Sequence, residues 1–129
     1  MIKCIFSILF SALLLNCKMS SFDCSRFRKG RFMYHTEDMK VFIVRNDSLQ
    51  FEKNAKTGKV DTLKISWTGP CSYDLSNLSS FNPYPHMPDS IFRKPLHTVI
   101  LNSTKQYYCF EATKAGISLI YRDTIWVIH

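Results

Sequence analysis

The 129-residue chain reads as an all-β protein, an antiparallel meander of eight or nine strands forming a small barrel or sandwich, with one short helical turn. Three observations predict this. Short runs alternate apolar and polar residues with the period of a half-buried strand. Turn signals separate them at the spacing of a barrel or sandwich, and helical periodicity is nearly absent. Aromatic content is 14% and glycine numbers four, a globular rather than a disordered composition.

The chain opens with Lys3 ahead of an apolar run over residues 4–15, the layout of a secretory signal. The run is short of the about 20 apolar residues that span a bilayer. Leu14-Leu15-Asn16-Cys17 resembles the lipobox of bacterial lipoproteins, with Asn16 where a small residue is usual. The resemblance implies that Cys17 is acylated and begins the mature chain. Residues 1–16 are then a signal peptide, 17–23 a lipidated tether and 24–129 a single β-domain. Two or more acyl chains anchor a protein stably, because each buried methylene contributes about 0.8 kcal/mol. Loss of Lys3 from 17 basic residues leaves 16 against 10 acidic ones, a formal charge of +6. That balance suits an anionic surface or an acidic envelope protein.

In the β-domain, residues 31–36 form a first strand, ended by a turn at Glu37 and Asp38. Residues 40–45 and 48–53 read as a hairpin around Asn46 and Asp47. A two-residue loop pairs Val44 with Leu49 and Phe42 with Phe51, which puts these apolar residues on the core face. Arg45, Gln50 and Glu52 then project together from the opposite face, as a cross-strand polar network or a ligand-facing cluster. Residues 60–67 alternate most cleanly, with Leu63, Ile65 and Trp67 on one side. Gly69 and Pro70 turn the chain into residues 71–75, with Cys71, Tyr73 and Leu75 on one side.

Residues 76–88 hold three of the five prolines and cannot form a central strand. Asp89 is placed to N-cap one turn of helix through Arg93. Strands resume at 98–101, 106–113, 117–121 and 125–128, the last two separated by Arg122, Asp123 and Thr124. The proline-rich loop is the strongest candidate for recognition, because exposed loops on rigid scaffolds carry binding. Phe81, Tyr84, His86 and Met87 would present its apolar surface, or the loop would act as a lid that buries Phe81.

Export permits a disulfide. Once Cys4 is removed and Cys17 acylated, Cys24, Cys71 and Cys109 allow three pairings. Cys24–Cys71 is preferred because it ties the N-terminal segment to a strand end, leaving Cys109 as a thiol.

The ordered pattern Cys24-x2-Phe27-x2-Gly30-x-Phe32, Arg45-Asn-Asp-Ser-x-Gln50-x-Glu52 and Ile65-x-Trp67-x3-Cys71-x-Tyr73-x-Leu75 resembles a group of short exported proteins of Bacteroidota. It implies a bacterial envelope location, outer-membrane or periplasm-facing, and places both preferred cysteines in a shared pattern. Some members of that group carry a topoisomerase IV label. A chain of this length has no room for an ATPase or a DNA-cleavage domain. Gly30-Arg31-Phe32 opens the first strand where lipocalins have Gly-x-Trp, a similarity that implies a lipocalin-like barrel.

Function follows from what is present and absent. No Gly-x-Ser-x-Gly elbow, phosphate-binding loop or His-Glu-x-x-His occurs, and the four histidines lack metal-ligand spacing. No catalytic residue, cofactor or metal is therefore expected. The basic run from Arg26 to Arg31 lies close to the proposed anchor, where headgroups rather than nucleic acid are its expected partner. The reading is a lipid-anchored, non-catalytic binding module. The alternatives are a lipocalin-type carrier of a small apolar ligand, with Trp67, Tyr73 and the proline-rich loop lining a cavity, and an enzyme using Cys109 or His86.

Overall fold

The computed structural model describes residues 22–129; the signal segment and Cys17 lie outside them. Eight antiparallel strands in sequential order close into a barrel. They are β1 (Gly30–His35), β2 (Lys40–Arg45), β3 (Leu49–Asn54), β4 (Val60–Gly69), β5 (Ser72–Asn77), β6 (Leu96–Ser103), β7 (Tyr107–Lys114) and β8 (Ile117–Ile128). Closure pairs β1 with β8 at Arg31–Ile128, Phe32–Val127 and Met33–Trp126. All eight strands, the core cluster and the disulfide lie within residues 22–129, so this segment carries a complete barrel.

The chain turns at two ends. At one end the loops β2–β3, β4–β5 and β6–β7 gather with the N-terminal segment. A 3-10 turn there, Ser25–Phe27, inserts Phe27 as a plug at 0% exposure. The Cys24–Cys71 disulfide, 47 residues apart, fastens that plug to the start of β5. The proline-rich loop joins β5 to β6 at the opposite end, with α1 (Asp89–Phe92) burying Phe92.

The segments expected at 117–121 and 125–128 are one strand. Arg122, Asp123 and Thr124 stay in the ladder opposite Glu111, Phe110 and Cys109. Their polarity is accommodated locally: Arg122 pairs with Glu111 at 2.8 Å. The Asp123 carboxylate accepts from the Tyr121 hydroxyl at 2.8 Å and from the Thr124 amide at 2.7 Å. Asp89 is the first residue of α1 rather than its cap. Its carboxylate accepts instead from Asn82 Nδ2 at 3.0 Å.

The β2–β3 hairpin also departs from expectation. Arg45 pairs with Gln50 and Val44 with Phe51, so the connection is four residues, not two. Asn46 Oδ1 accepts from the amides of Ser48 and Leu49, an Asx turn that draws both residues into the loop. The shift of two residues preserves which side chains share a face but not which face is buried. Arg45, Gln50 and Glu52 do point the same way, and that way is inward.

Candidate functional site

Arg45 is 2% exposed and Gln50 1%. Burial of a charge at this depth requires hydrogen bonds on every side. Arg45 donates from Nε to Gln50 Oε1 at 2.8 Å and from Nη1 to the Phe27 carbonyl at 2.8 Å. Its Nη2 reaches the Tyr108 hydroxyl at 3.1 Å and the Tyr73 hydroxyl at 3.4 Å. The guanidinium also stacks on Phe32 and Tyr73, with centroids 4.9 and 4.8 Å away. Burial, with Tyr73 adding to it, keeps Tyr108 protonated well above the ordinary phenol range, although Arg45 pulls the other way. Gln50 passes the network on, donating from Nε2 to Glu52 Oε1 at 2.6 Å. Burial raises the Glu52 carboxyl above its ordinary range.

These groups satisfy one another and fill the plugged half of the barrel. The Arg45–Gln50–Glu52 cluster is therefore an interior network linking β2, β3, β5, β7 and the plug, not a ligand-facing surface. Trp67 and Tyr73 belong to the same end. Their rings pack at 4.9 Å, beneath Arg28 stacked 4.6 Å above the indole. The Trp67 Nε1 is buried without a partner.

The loop residues sit at the other end. A cleft of about 440 Å³ lies between the start of β4, the end of β5 and the loop beyond it, within the size range of ligand sites. Phe81 and Tyr84 line it together with Val60 and Leu78. All four are exposed, at 71, 57, 53 and 56% respectively. Phe81 is thus not buried beneath a lid. Asp61, Asn77 and Ser79 supply polar groups at the same wall. His86 is exposed and Met87 half-buried, and neither belongs to the lining. Val60 and Leu78 escaped the sequence reading. A signal existed for Val60, an apolar residue on the polar side of β4 with Thr62 and Lys64.

The loop is pinned rather than loose. Asn82 Oδ1 accepts from the Tyr84 amide, and Asn82 Nδ2 donates to the Met87 carbonyl at 2.7 Å. Arg93 donates to the Ser80 carbonyl at 3.1 Å. Lys114 on β7 donates from Nζ to the carbonyls of Phe92 and Lys94 at 3.1 and 2.6 Å, capping the α1 end.

Among the described residues, no group of three His, Cys, Asp or Glu side chains is placed to hold a metal. Cys109 is half-buried with Sγ 3.6 Å from Thr124 Oγ1. His97 lies opposite Thr113, four residues along β7 from Cys109, roughly 13 Å away. Its Nδ1 instead meets Asp74 Oδ1 at 2.6 Å. Cys109 and His97 therefore do not form a thiol–imidazole pair.

The class defined by this geometry is a closed eight-stranded antiparallel barrel with an occupied interior half and an external cleft. The chain matches no protein-family model, no curated protein and no solved structure.

Proposed function

We propose that the chain is an exported, lipid-anchored envelope protein whose barrel is a non-catalytic binding module, with recognition at the cleft beside the proline-rich loop. The observation that carries the reading is the concentration of exposed Val60, Leu78, Phe81 and Tyr84 around one pinned cleft, while the opposite half of the interior is filled. The Cys24–Cys71 disulfide supports an oxidising compartment. An acyl group on Cys17 would hold the plugged end near the membrane and leave the cleft at the far end free.

Two measurements test this. Intact mass of the mature protein is expected to show an acylated Cys17 as its first residue; an unmodified Cys17 sinks the anchor. A photo-crosslinking residue in place of Phe81 or Tyr84 is expected to trap a partner in the envelope, whereas the same group in place of exposed Lys64 is not. Equal trapping at all three positions, or none, sinks the cleft. A trapped small apolar molecule rather than a protein supports the carrier alternative, with the ligand in this external cleft.

A further inference from the structure

β2 carries four successive apolar residues, Val41, Phe42, Ile43 and Val44. Strand side chains alternate, so only two of them can enter the core. Val41 and Ile43 do, leaving Phe42 38% and Val44 48% exposed. A strand apolar on both sides is the pattern of one covered on both faces. The register extends this outward face across the barrel seam. Lys53, Phe42, Met33, Trp126 and Tyr107 lie side by side in one row over β3, β2, β1, β8 and β7. The Trp126 and Tyr107 rings touch at 5.0 Å, and Trp126 is 37% exposed. Phe51, Val44, Arg31 and Ile128 form the adjacent row.

Within the two rows the charges have one sign, and the carboxylates of Glu37 and Asp38 stand at the rim, in the β1–β2 turn beside Met33 and Lys40. Lys53 and Arg31 stand within the rows, and Lys40 lies over the Phe42 ring at 5.2 Å. Neither row contains a carboxylate. Nearby Glu111 is taken by Arg122 at 2.8 Å, and Asp47 by Lys29 at 3.1 Å. Arg31 also makes the wall continuous with the basic run from Arg26, beside the point where the chain continues back toward Cys17. An aromatic and aliphatic patch with basic side chains has the composition of an interfacial membrane contact. Against a second copy, the same wall would set basic groups against basic groups.

We propose that the outer wall of β1, β2, β3 and β8 rests on an anionic phospholipid surface. Phe42, Val44, Met33 and Trp126 enter the headgroup boundary, while Lys40, Lys53 and Arg31 meet phosphates. The contact deepens the envelope reading but does not depend on acylation, since the wall belongs to the barrel itself. It also turns the β4–β5 cleft outward, because that pair lies on the opposite side of the strand order from the β8–β1 seam.

Residues 22–129 with Trp67→Phe, leaving Trp126 as the only tryptophan, are mixed with phosphatidylcholine vesicles or vesicles enriched in phosphatidylglycerol. The expected result is co-sedimentation with the anionic vesicles, a blue shift of Trp126 emission and quenching by brominated acyl chains. Phe42→Ser with Val44→Ser should weaken binding about tenfold or more. Its melting temperature reports whether the barrel is retained, and bromine quenching needs no wall variant. Absence of binding at low salt overturns the proposal. So does sedimentation without blue shift or quenching, which assigns the contact to the basic run alone. A lipid-free dimer abolished by the two serines overturns it in favour of self-association. Because the segment is unacylated, failure here leaves the Cys17 anchor to be judged by mass alone.

Discussion

Arg45 on β2 and Gln50 on β3 face each other across a four-residue turn inside the barrel, Nε to Oε1 at 2.8 Å, both almost wholly buried. This pair sets the inward face of the hairpin and joins it to the plug through the Phe27 carbonyl. Removing the cation would orphan Gln50 Oε1 and the Phe27 carbonyl, while the Tyr73 and Tyr108 hydroxyls, 3.0 Å apart, would keep only each other. Arg45→Ala is expected to lower stability by about 3 kcal/mol or more, a fall in melting temperature of about 10 °C or more. Arg45→Lys should fall between, since an ammonium cannot reproduce the planar fork. Denaturant melts check this, and a change within about 0.5 kcal/mol for the alanine variant would refute the assigned role.

The Cys24–Cys71 bridge closes 47 residues and fixes the plug. The chain-entropy relation gives about 4 kcal/mol for a loop of that length. Cys24→Ser with Cys71→Ser is expected to lose about that much, by chemical denaturation of the oxidised protein against the variant. Reductant should shift the wild type and leave the double variant unmoved. Equal midpoints for oxidised wild type and variant would remove the bridge from the stability of the fold.

Glu52 gives a pH dependence whose sign is fixed by its surroundings. Burial raises its carboxyl above the ordinary range and the Asp61 carboxylate adds to this, while Gln50 and Arg45 pull downward. A raised folded pKa means that the barrel holds the proton more tightly than the unfolded chain does. The stabilising contribution is full below the unfolded pKa and is lost as pH rises through the folded one. Glu52→Gln, which keeps a carbonyl for Gln50 Nε2, is therefore expected to raise the melting temperature near neutral pH. The gain should shrink toward about pH 4. Melts across that interval decide it, and a gain independent of pH assigns the effect to packing instead.

The physical asymmetry of these sites explains what sequence alone made legible. The disulfide, most turns and the strand meander rest on local chemistry: proline and glycine punctuation, alternation and cysteine placement. The orientation of β2–β3 does not, because Val41 to Val44 offer equally apolar choices on either parity. The decision falls to Arg45, whose acceptors at Phe27, Tyr73 and Tyr108 are 18, 28 and 63 residues away. Likewise Phe81 and Tyr84 were visible as loop aromatics. Their cleft partners Val60 and Leu78 stand at the start of β4 and just past the end of β5, which the register of the β4–β5 pair brings side by side. Trp67 and Tyr73 look like ligand-binding aromatics in sequence, yet the plug and Arg28 cover them.

The seat of the proline-rich loop depends on Gly116, in the turn between β7 and β8. Its φ of +88° is one that side-chain-bearing residues rarely adopt. A Cβ there would also stand 3.2 and 3.3 Å from Ile91 Cγ1 and Cδ1 on α1. Both effects oppose a side chain, so Gly116→Ala should cost more than about 1 kcal/mol. The loss should be local, since Ile91 belongs to the loop and not to the barrel core cluster. Hydrogen exchange is expected to accelerate in residues 78–95 while β1 to β4 keep their protection. Ile91→Ala in the same chain removes the crowding but not the backbone strain, so partial recovery measures the packing share. Unchanged loop exchange in Gly116→Ala would show that the turn and α1 are not coupled.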